Sequence, residues 1–268
     1  MQYKSVLSIA GSDSGGGAGI QADIKTISAC CCYSSSAITA ITAQNTLGVI
    51  DIHAIPQASL EKQIRAVLDD IGADAIKIGM LHSPESIETV ANCLETYPIQ
   101  NIVLDPVMVA TSGDKLLVDE AIDLLKKHLF PKVRIITPNL PEAEILLGRK
   151  IKGQSEFRAI AQELAEKFRV SVLLKAGHLK GDDLIDVLYD FEKAESLDLK
   201  SKRIDSKNTH GTGCSLSSAL ASFLAKGHSL AESAQLAKDF ITESIKAGAD
   251  YKIGKGNGPV HHFYQFWK

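Results

Sequence analysis

Apolar runs of strand length alternate with amphipathic helical stretches along almost the whole chain, and this alternation leaves few folds open. Strands are expected at residues 4–10, 36–43, 74–79, 102–104, 133–137 and 170–175, with helices near 18–31, 57–71, 84–96, 119–129, 141–147 and 155–168. Residues 183–190 and 195–202 read as a later antiparallel pair, and two long helices near 212–226 and 230–247 close the pattern. Apolar strands separated by helices form a mostly parallel central sheet with helices on both faces, a three-layer α/β fold. No linker, repeat or low-complexity tract interrupts it, so residues 1–268 are expected to form one domain. A chain of 268 residues that is 45% apolar is large enough for one such core.

Several function classes are disfavoured at once. The net charge is −3, and the Lys and Arg residues are scattered without interleaved aromatics, which argues against nucleic-acid binding. No stretch of about 18 apolar residues is present, so no membrane span is expected. Residues 1–10 read as a short strand, not as a signal-peptide core, and the expected location is cytoplasmic. Cys30, Cys31, Cys32, Cys93 and Cys214 are odd in number and form no C-x-x-C pair, which fits reduced thiols. Cys30-Cys31-Cys32 cannot converge on one ion and reads as small buried thiols. His261-His262 reads as part of a surface tail, and Phe263-Tyr264-Gln265-Phe266-Trp267 as a packed one.

Ligands of such sheets bind beyond the carboxyl ends of the strands. Gly11, Gln44, Gly79-Met80, Asp105, Asn139 and Lys175-Ala176-Gly177 all fall at or just past an expected strand end. The most informative turn is His210-Gly211-Thr212-Gly213-Cys214, which runs straight into an apolar helix. Unpaired N–H groups and the helix dipole make such a junction an anion site. Cys214 sits where those groups converge, and a helix N-terminus lowers a thiol's pKa, so Cys214 is a candidate base or nucleophile. His210 either touches a nucleotide or shapes the turn.

Gly11-Ser12-Asp13-Ser14-Gly15-Gly16-Gly17-Ala18-Gly19 follows the first strand. It is not a Walker loop, because Gly17-Ala18 stands where G-x-x-x-x-G-K-[ST] needs Lys and Ser or Thr. Gly17 to Ala22 fits G-x-G-x-x-A, but the next strand ends in Gln44 where a dinucleotide fold wants an acid, which argues against a nicotinamide oxidoreductase. The glycines instead let backbone approach a small substrate. Asp23 either faces that pocket or is a solvated acid favoured by the helix dipole. In Thr137-Pro138-Asn139-Leu140-Pro141-Glu142, Asn139 and Glu142 form a helix cap or organise Mg²⁺ and its waters. Lys175 ends an apolar strand, where a phosphate partner would explain its charge. Asp105 ends another and can hold a metal-bound water or the substrate.

Ile9 to Ser14, Gly17 to Asp23, Thr42 to Thr46, Lys77 to Leu81, Asp105 to Val109, Thr137 to Ala143 and His210 to Cys214 together resemble one family. It is the hydroxymethylpyrimidine/phosphomethylpyrimidine kinases of thiamine biosynthesis, within the ribokinase-like fold. The resemblance implies an ATP- and Mg²⁺-dependent phosphotransferase. It would act on 4-amino-5-hydroxymethyl-2-methylpyrimidine and then on its monophosphate, with a homodimer as the assembly. It implies that Gln44 pairs with the pyrimidine edge beside Gly11 and Asp23, and that Met80 and Val107 line the ring pocket. Asn139, Glu142, Lys175 and His210 would serve ATP, with Glu142 and Asp105 reaching the metal through water. Gly211, Thr212 and Gly213 would form the anion hole around Cys214, which stands where ribokinase relatives carry Asp. Residues 107–115 would be a short lid. The alternative is a pyridoxal kinase of the same fold, against which an amide at Gln44 counts, as does the lack of a lid cysteine. A non-catalytic nucleotide-binding protein is disfavoured by the intact Asn139, Glu142, Lys175 and Cys214.

Overall fold

A computed structural model describes residues 3–108, 119–177, 179 and 181–267. Among the described residues, nine strands form one sheet in the order β3-β2-β1-β4-β5-β6-β7-β8-β9. They are β1 (Ser5–Asp13), β2 (Tyr33–Asn45), β3 (Gly48–Ala54), β4 (Ala75–Ile78), β5 (Ile102–Leu104), β6 (Ile135–Ile136), β7 (Ser171–Leu174), β8 (Asp183–Asp190) and β9 (Glu195–Lys202). The ladders from β2 through β7 are parallel, whereas β3, β8 and β9 join antiparallel.

Side-chain alternation along the strands divides the interior into two cores. Leu7, Ile76, Leu104, Ile136 and Val172 face one core, under α2 (Gln57–Asp70), α3 (Pro84–Thr96), α4 (Asp119–Leu124), α5 (Leu140–Leu147) and α6 (Phe157–Phe168). Val6, Ala75, Val103, Ile135 and Leu173 face the other, under α1 (Gly19–Ala29), α7 (Thr212–Ala225) and α8 (Leu230–Gly248). Both faces are thus buried, which is why the central strands read as continuous apolar runs. Among the described residues, no helix is long and apolar enough to cross a membrane.

Three local expectations change. β3 is an edge strand absent from the sequence reading; Asp51 and His53 alternate with apolar residues, and Ile50 stays 78% exposed, so no buried face marks it. The expected helix over 119–129 ends at Leu124 and gives way to a π turn over Leu125–Leu129 ahead of Pro131, which has no N–H to donate. Cys30 and Cys32 are buried as expected, but Cys31 is exposed, in a turn with φ 59°. Of the expected lid, Val107 and Met108 are described, and residues 109–115 lie outside the described residues.

The chain leaves β1 for β2 on one side and reaches β4 on the other, so the sheet reverses its winding at β1. A crevice opens beyond the carboxyl ends of strands at such a point. The register of β1 against β2 slips between Ala10 and Ser12, placing Gly11 at an irregularity on the crevice edge.

Candidate active site

Two glycine-bearing turns interlock at this crevice. Gly211 caps α7 with φ 78°, and a Cβ there would overlap the carbonyl oxygen of Gly17. In return, a Cβ on Gly17 would overlap the His210 ring, and one on Gly19 the carbonyl of Gly11. Only glycine fits at Gly211, because both the space and the left-handed backbone demand it. α7 starts with no side-chain cap; the Thr212 N–H turns back to Thr209 O at 3.3 Å, and a helix start of this kind can offer its remaining N–H groups to an anion.

The charged end of the site gathers around this helix start. A Cβ on Gly213 would lie 3.4 Å from both Asp105 Oδ2 and Lys175 Nζ. Lys175 donates to Asp105 Oδ1 at 2.7 Å, and Thr137 Oγ1 donates to the same oxygen at 3.0 Å. Burial opposes the charge on Asp105, but Lys175 and Lys77 outweigh it and hold the carboxyl below its usual range. Burial likewise opposes the charge on Lys175, and Asp105 and Glu142 raise its pKa. A backbone bridge pairs Lys175 with Asn139, and the Lys175 N–H donates to Pro138 O at 2.9 Å.

Asn139 and Glu142 form a complete capping box. The Glu142 N–H donates to Asn139 Oδ1 at 3.0 Å, and the Asn139 N–H to Glu142 Oε2 at 2.8 Å. The cap does not account for the charge of Glu142. Burial drives its pKa up to about 7, with Lys175 pulling down and Asp105 pushing up. A buried carboxylate lacking a full counter-charge fits a cation site, and one or two carboxylates with water and phosphate suit Mg²⁺.

Cys214 departs from the sequence expectation. Burial pushes its thiol up to about 11; Lys77 and the Gly19 N–H pull down, while Asp23 and Asp105 push up. The helix-terminus effect is overcome by desolvation and two carboxylates.

Asp23 is neither a solvated acid nor open to the crevice. It is 0% exposed and accepts from Lys77 Nζ on both oxygens at 2.8 Å, from Ser8 Oγ at 2.6 Å and from Ser218 Oγ at 2.8 Å. Lys77 was given no role from the sequence, although a lysine inside Ala75-Ile76-Lys77-Ile78 was a signal. Burial works against its charge, yet Asp23, Cys214 and Asp105 raise its pKa above the ordinary lysine value.

The opposite end is built from hydrogen bonds around a single carboxylate, Asp13. Gln44 Nε2 lies 3.1 Å from His210 Nε2, and Thr42 Oγ1 lies 3.1 Å from Gln44 Oε1. Ser14 Oγ both donates to Gln44 O at 2.7 Å and accepts from its N–H at 2.8 Å. His210 Nε2 also meets Asp13 Oδ2 at 3.1 Å, so the contacts of His210 run to the Gln44 end, not to Asn139 and Glu142. Asp13, also given no role from the sequence, accepts from the N–H groups of Gly15, Gly17 and Ala18. Burial opposes its charge, but His210 and these N–H groups lower its pKa. A Cβ on Gly11 would lie 2.5 Å from Met80 Cε, which puts those two side by side; Val107 donates its N–H to Asp105 O at 2.8 Å.

The C-terminal segment braces both ends. Thr46 Oγ1 accepts from the N–H groups of Lys255 and Gly256, and the His210 N–H donates to Gly258 O at 3.0 Å. His262 is buried, not a surface residue as expected, with Nε2 2.9 Å from Ser215 Oγ. Ser215 Oγ in turn donates to Gly211 O at 2.8 Å.

The arrangement is that of a small-molecule kinase of the ribokinase-like fold, and similarity to known proteins agrees. The profile of the phosphomethylpyrimidine kinase family matches residues 13–261. The chain belongs to that family. It is 46% identical over 263 residues to a hydroxymethylpyrimidine/phosphomethylpyrimidine kinase of Rhizobium meliloti, covering 98% of each chain. It is 47% identical over 258 residues to the thiamine biosynthesis bifunctional protein ThiED of Geobacter sulfurreducens; this covers 96% of the chain but 52% of that longer relative. A Staphylococcus aureus pyridoxal kinase structure in complex with AMP-PCP and pyridoxal superposes with a TM-score of 0.89 at 33% identity, covering 99% of this chain and 96% of that one.

Proposed function

We propose that the protein transfers the γ-phosphoryl group of ATP to the hydroxymethyl group of 4-amino-5-hydroxymethyl-2-methylpyrimidine, and then to the resulting monophosphate. The carrying observation is that Gly213 brings the uncapped start of α7, Lys175 and Asp105 together beside Cys214, while the adjoining turn reaches Gln44 through His210. Gln44 offers an amide to the aminopyrimidine edge. Met80 and Val107 flank the ring, and Gly11 lets backbone approach it. The hydroxymethyl oxygen attacks the γ-phosphorus as its proton passes to Cys214 Sγ in the thiolate form. The bond to the β-phosphate oxygen breaks, and ADP leaves with the electron pair. Lys175 and the α7 N–H groups stabilise the charge that develops.

Glu142 and Asn139 would hold Mg²⁺ through water, and the bound ion supplies charge neutralisation of the phosphates. Asp105 is engaged by Lys175 and Thr137, so its contribution is to orient Lys175. In the second phosphorylation the nucleophile is a phosphate oxygen, already largely ionised at neutral pH because such a group has a second pKa of about 6. Cys214 as proton acceptor therefore matters mainly in the first step.

Pyridoxal phosphorylation is a second reading, favoured by the superposition on pyridoxal kinase. Mass spectrometry of products from the pyrimidine with ATP and Mg²⁺ tests the main one. Mono- and diphosphate products are expected; a kcat/KM for pyridoxal above that for the pyrimidine would replace it with the second. The homodimer is proposed to form at the β2–β3 edge, where Ile41, Leu47 and Ile50 are exposed. Sedimentation of Leu47→Asp as a dimer would refute that placement.

A further inference from the structure

Lys77 is fully buried, and neither recognition nor phosphate binding uses it. Burying an ammonium is costly even when it is paired, and ion pairs that only join elements can often be replaced by apolar residues. The position of this one is what matters. Ser218, which donates to Asp23 Oδ1, lies four residues after Cys214 on α7, so the two share a helix face. Lys77 reaches toward the crevice under Gly79, where a Cβ would lie 2.8 Å from its Nζ. The charged groups that act on the sulfur are Asp23 from α1, Lys77 from β4, Asp105 after β5 and Lys175 after β7. Of these, Lys77 exerts the largest pull toward the thiolate.

We propose that Lys77 is a positioning residue for phosphoryl transfer: its ammonium, clamped by Asp23 beneath the Cys214 face of α7, is the fixed counter-charge against which the thiolate forms. Asp23 acts in the opposite sense, holding Lys77 in place while opposing the negative sulfur. This rests on Cys214 being the proton acceptor. The thiol first gives its proton to water. The thiolate then takes the hydroxymethyl proton as the oxygen–phosphorus bond forms and ADP departs.

The test follows alkylation of Cys214 by iodoacetamide against pH, read on its own peptide by mass spectrometry. The full chain carries Cys31→Ser, since Cys31 is the exposed cysteine. Lys77→Met is expected to move the alkylation profile to higher pH, and Asp23→Asn to lower pH. Loosened packing would instead raise alkylation at every pH in both variants. Shifts of the same sign, or none, would overturn the proposal. Where Lys77→Met does not fold, Asp23→Asn must shift the profile downward and Asp23→Asn with Lys77→Met must lie above it; any other order also overturns it. The readout needs no turnover, so it stands apart from the kinase reading, which fails if the unmodified protein forms no phosphorylated pyrimidine.

Discussion

The two ends of the site are made differently. Around Gln44, His210 and Asp13, hydrogen bonds about one carboxylate and touching glycine backbone fix the geometry. Around Cys214, Lys175 and Glu142, charges are balanced against one another in a buried setting, and their pKa values move accordingly. The first end is shaped before a ligand arrives. The second holds electrostatic imbalance that a phosphate and a cation would relieve. Recognition and transfer can therefore be damaged separately.

The largest effect should come from breaking the junction between the ends. Gly211→Ala places a methyl on the Gly17 carbonyl and forces alanine to a positive φ. It should cost about 3 kcal/mol or more in urea denaturation and remove measurable turnover. Lys175→Met strikes the transfer end alone: kcat should fall roughly 100- to 1,000-fold with little change in KM for the pyrimidine. A matching rise in KM would place Lys175 in recognition. Cys214→Ala should slow the first phosphorylation by about 100-fold and the second by less than about tenfold; equal losses would show that the thiol is not a proton acceptor. Gln44→Leu should cut kcat/KM for the pyrimidine by roughly 10- to 100-fold, the worth of a hydrogen-bonded group left unmatched, and pyridoxal turnover by less.

The smallest effect concerns stability. Burial lowers the His262 pKa to about 3, with Lys25 and His261 adding repulsion. The unfolded chain binds a proton near the ordinary value of 6.5 and the native state does not. Stability present above pH 6.5 is therefore lost as pH falls toward 3. Glu142 works the other way: its raised pKa gives stability that is present below 4.5 and lost as pH rises through about 7. His262→Gln should flatten the acid limb, seen as a smaller drop in Tm between pH 7.5 and 5.5.

The central strands and the strand-end residues were legible in the sequence because each carries a local sign. Apolar runs such as Ile102-Val103-Leu104 report burial on two faces, and a polar residue just beyond reports the crevice. β3 had no such sign, since neither face is covered. The Asn139–Glu142 cap was legible because it closes over three residues. Lys77–Asp23 spans 54 residues and Ser215–His262 spans 47, so only the fold brings them together. The sign of the Cys214 shift was misread for the same reason. A helix terminus is local and visible in sequence, whereas the burial and carboxylates that outweigh it come from elsewhere.

The brace formed by residues 255–262 has a consequence for biosynthesis. It is translated after every other part of the site: β1, Gln44, Lys175 and α7 have all been made before Gly258 and His262 can bond to the α7 turn. A nascent chain can lay down its central strands early, but its α7 turn gains this support only once residues 255–262 have cleared the ribosome exit tunnel. Competence should therefore appear only after residues 255–262 have been made, rather than accumulate gradually as the sheet grows.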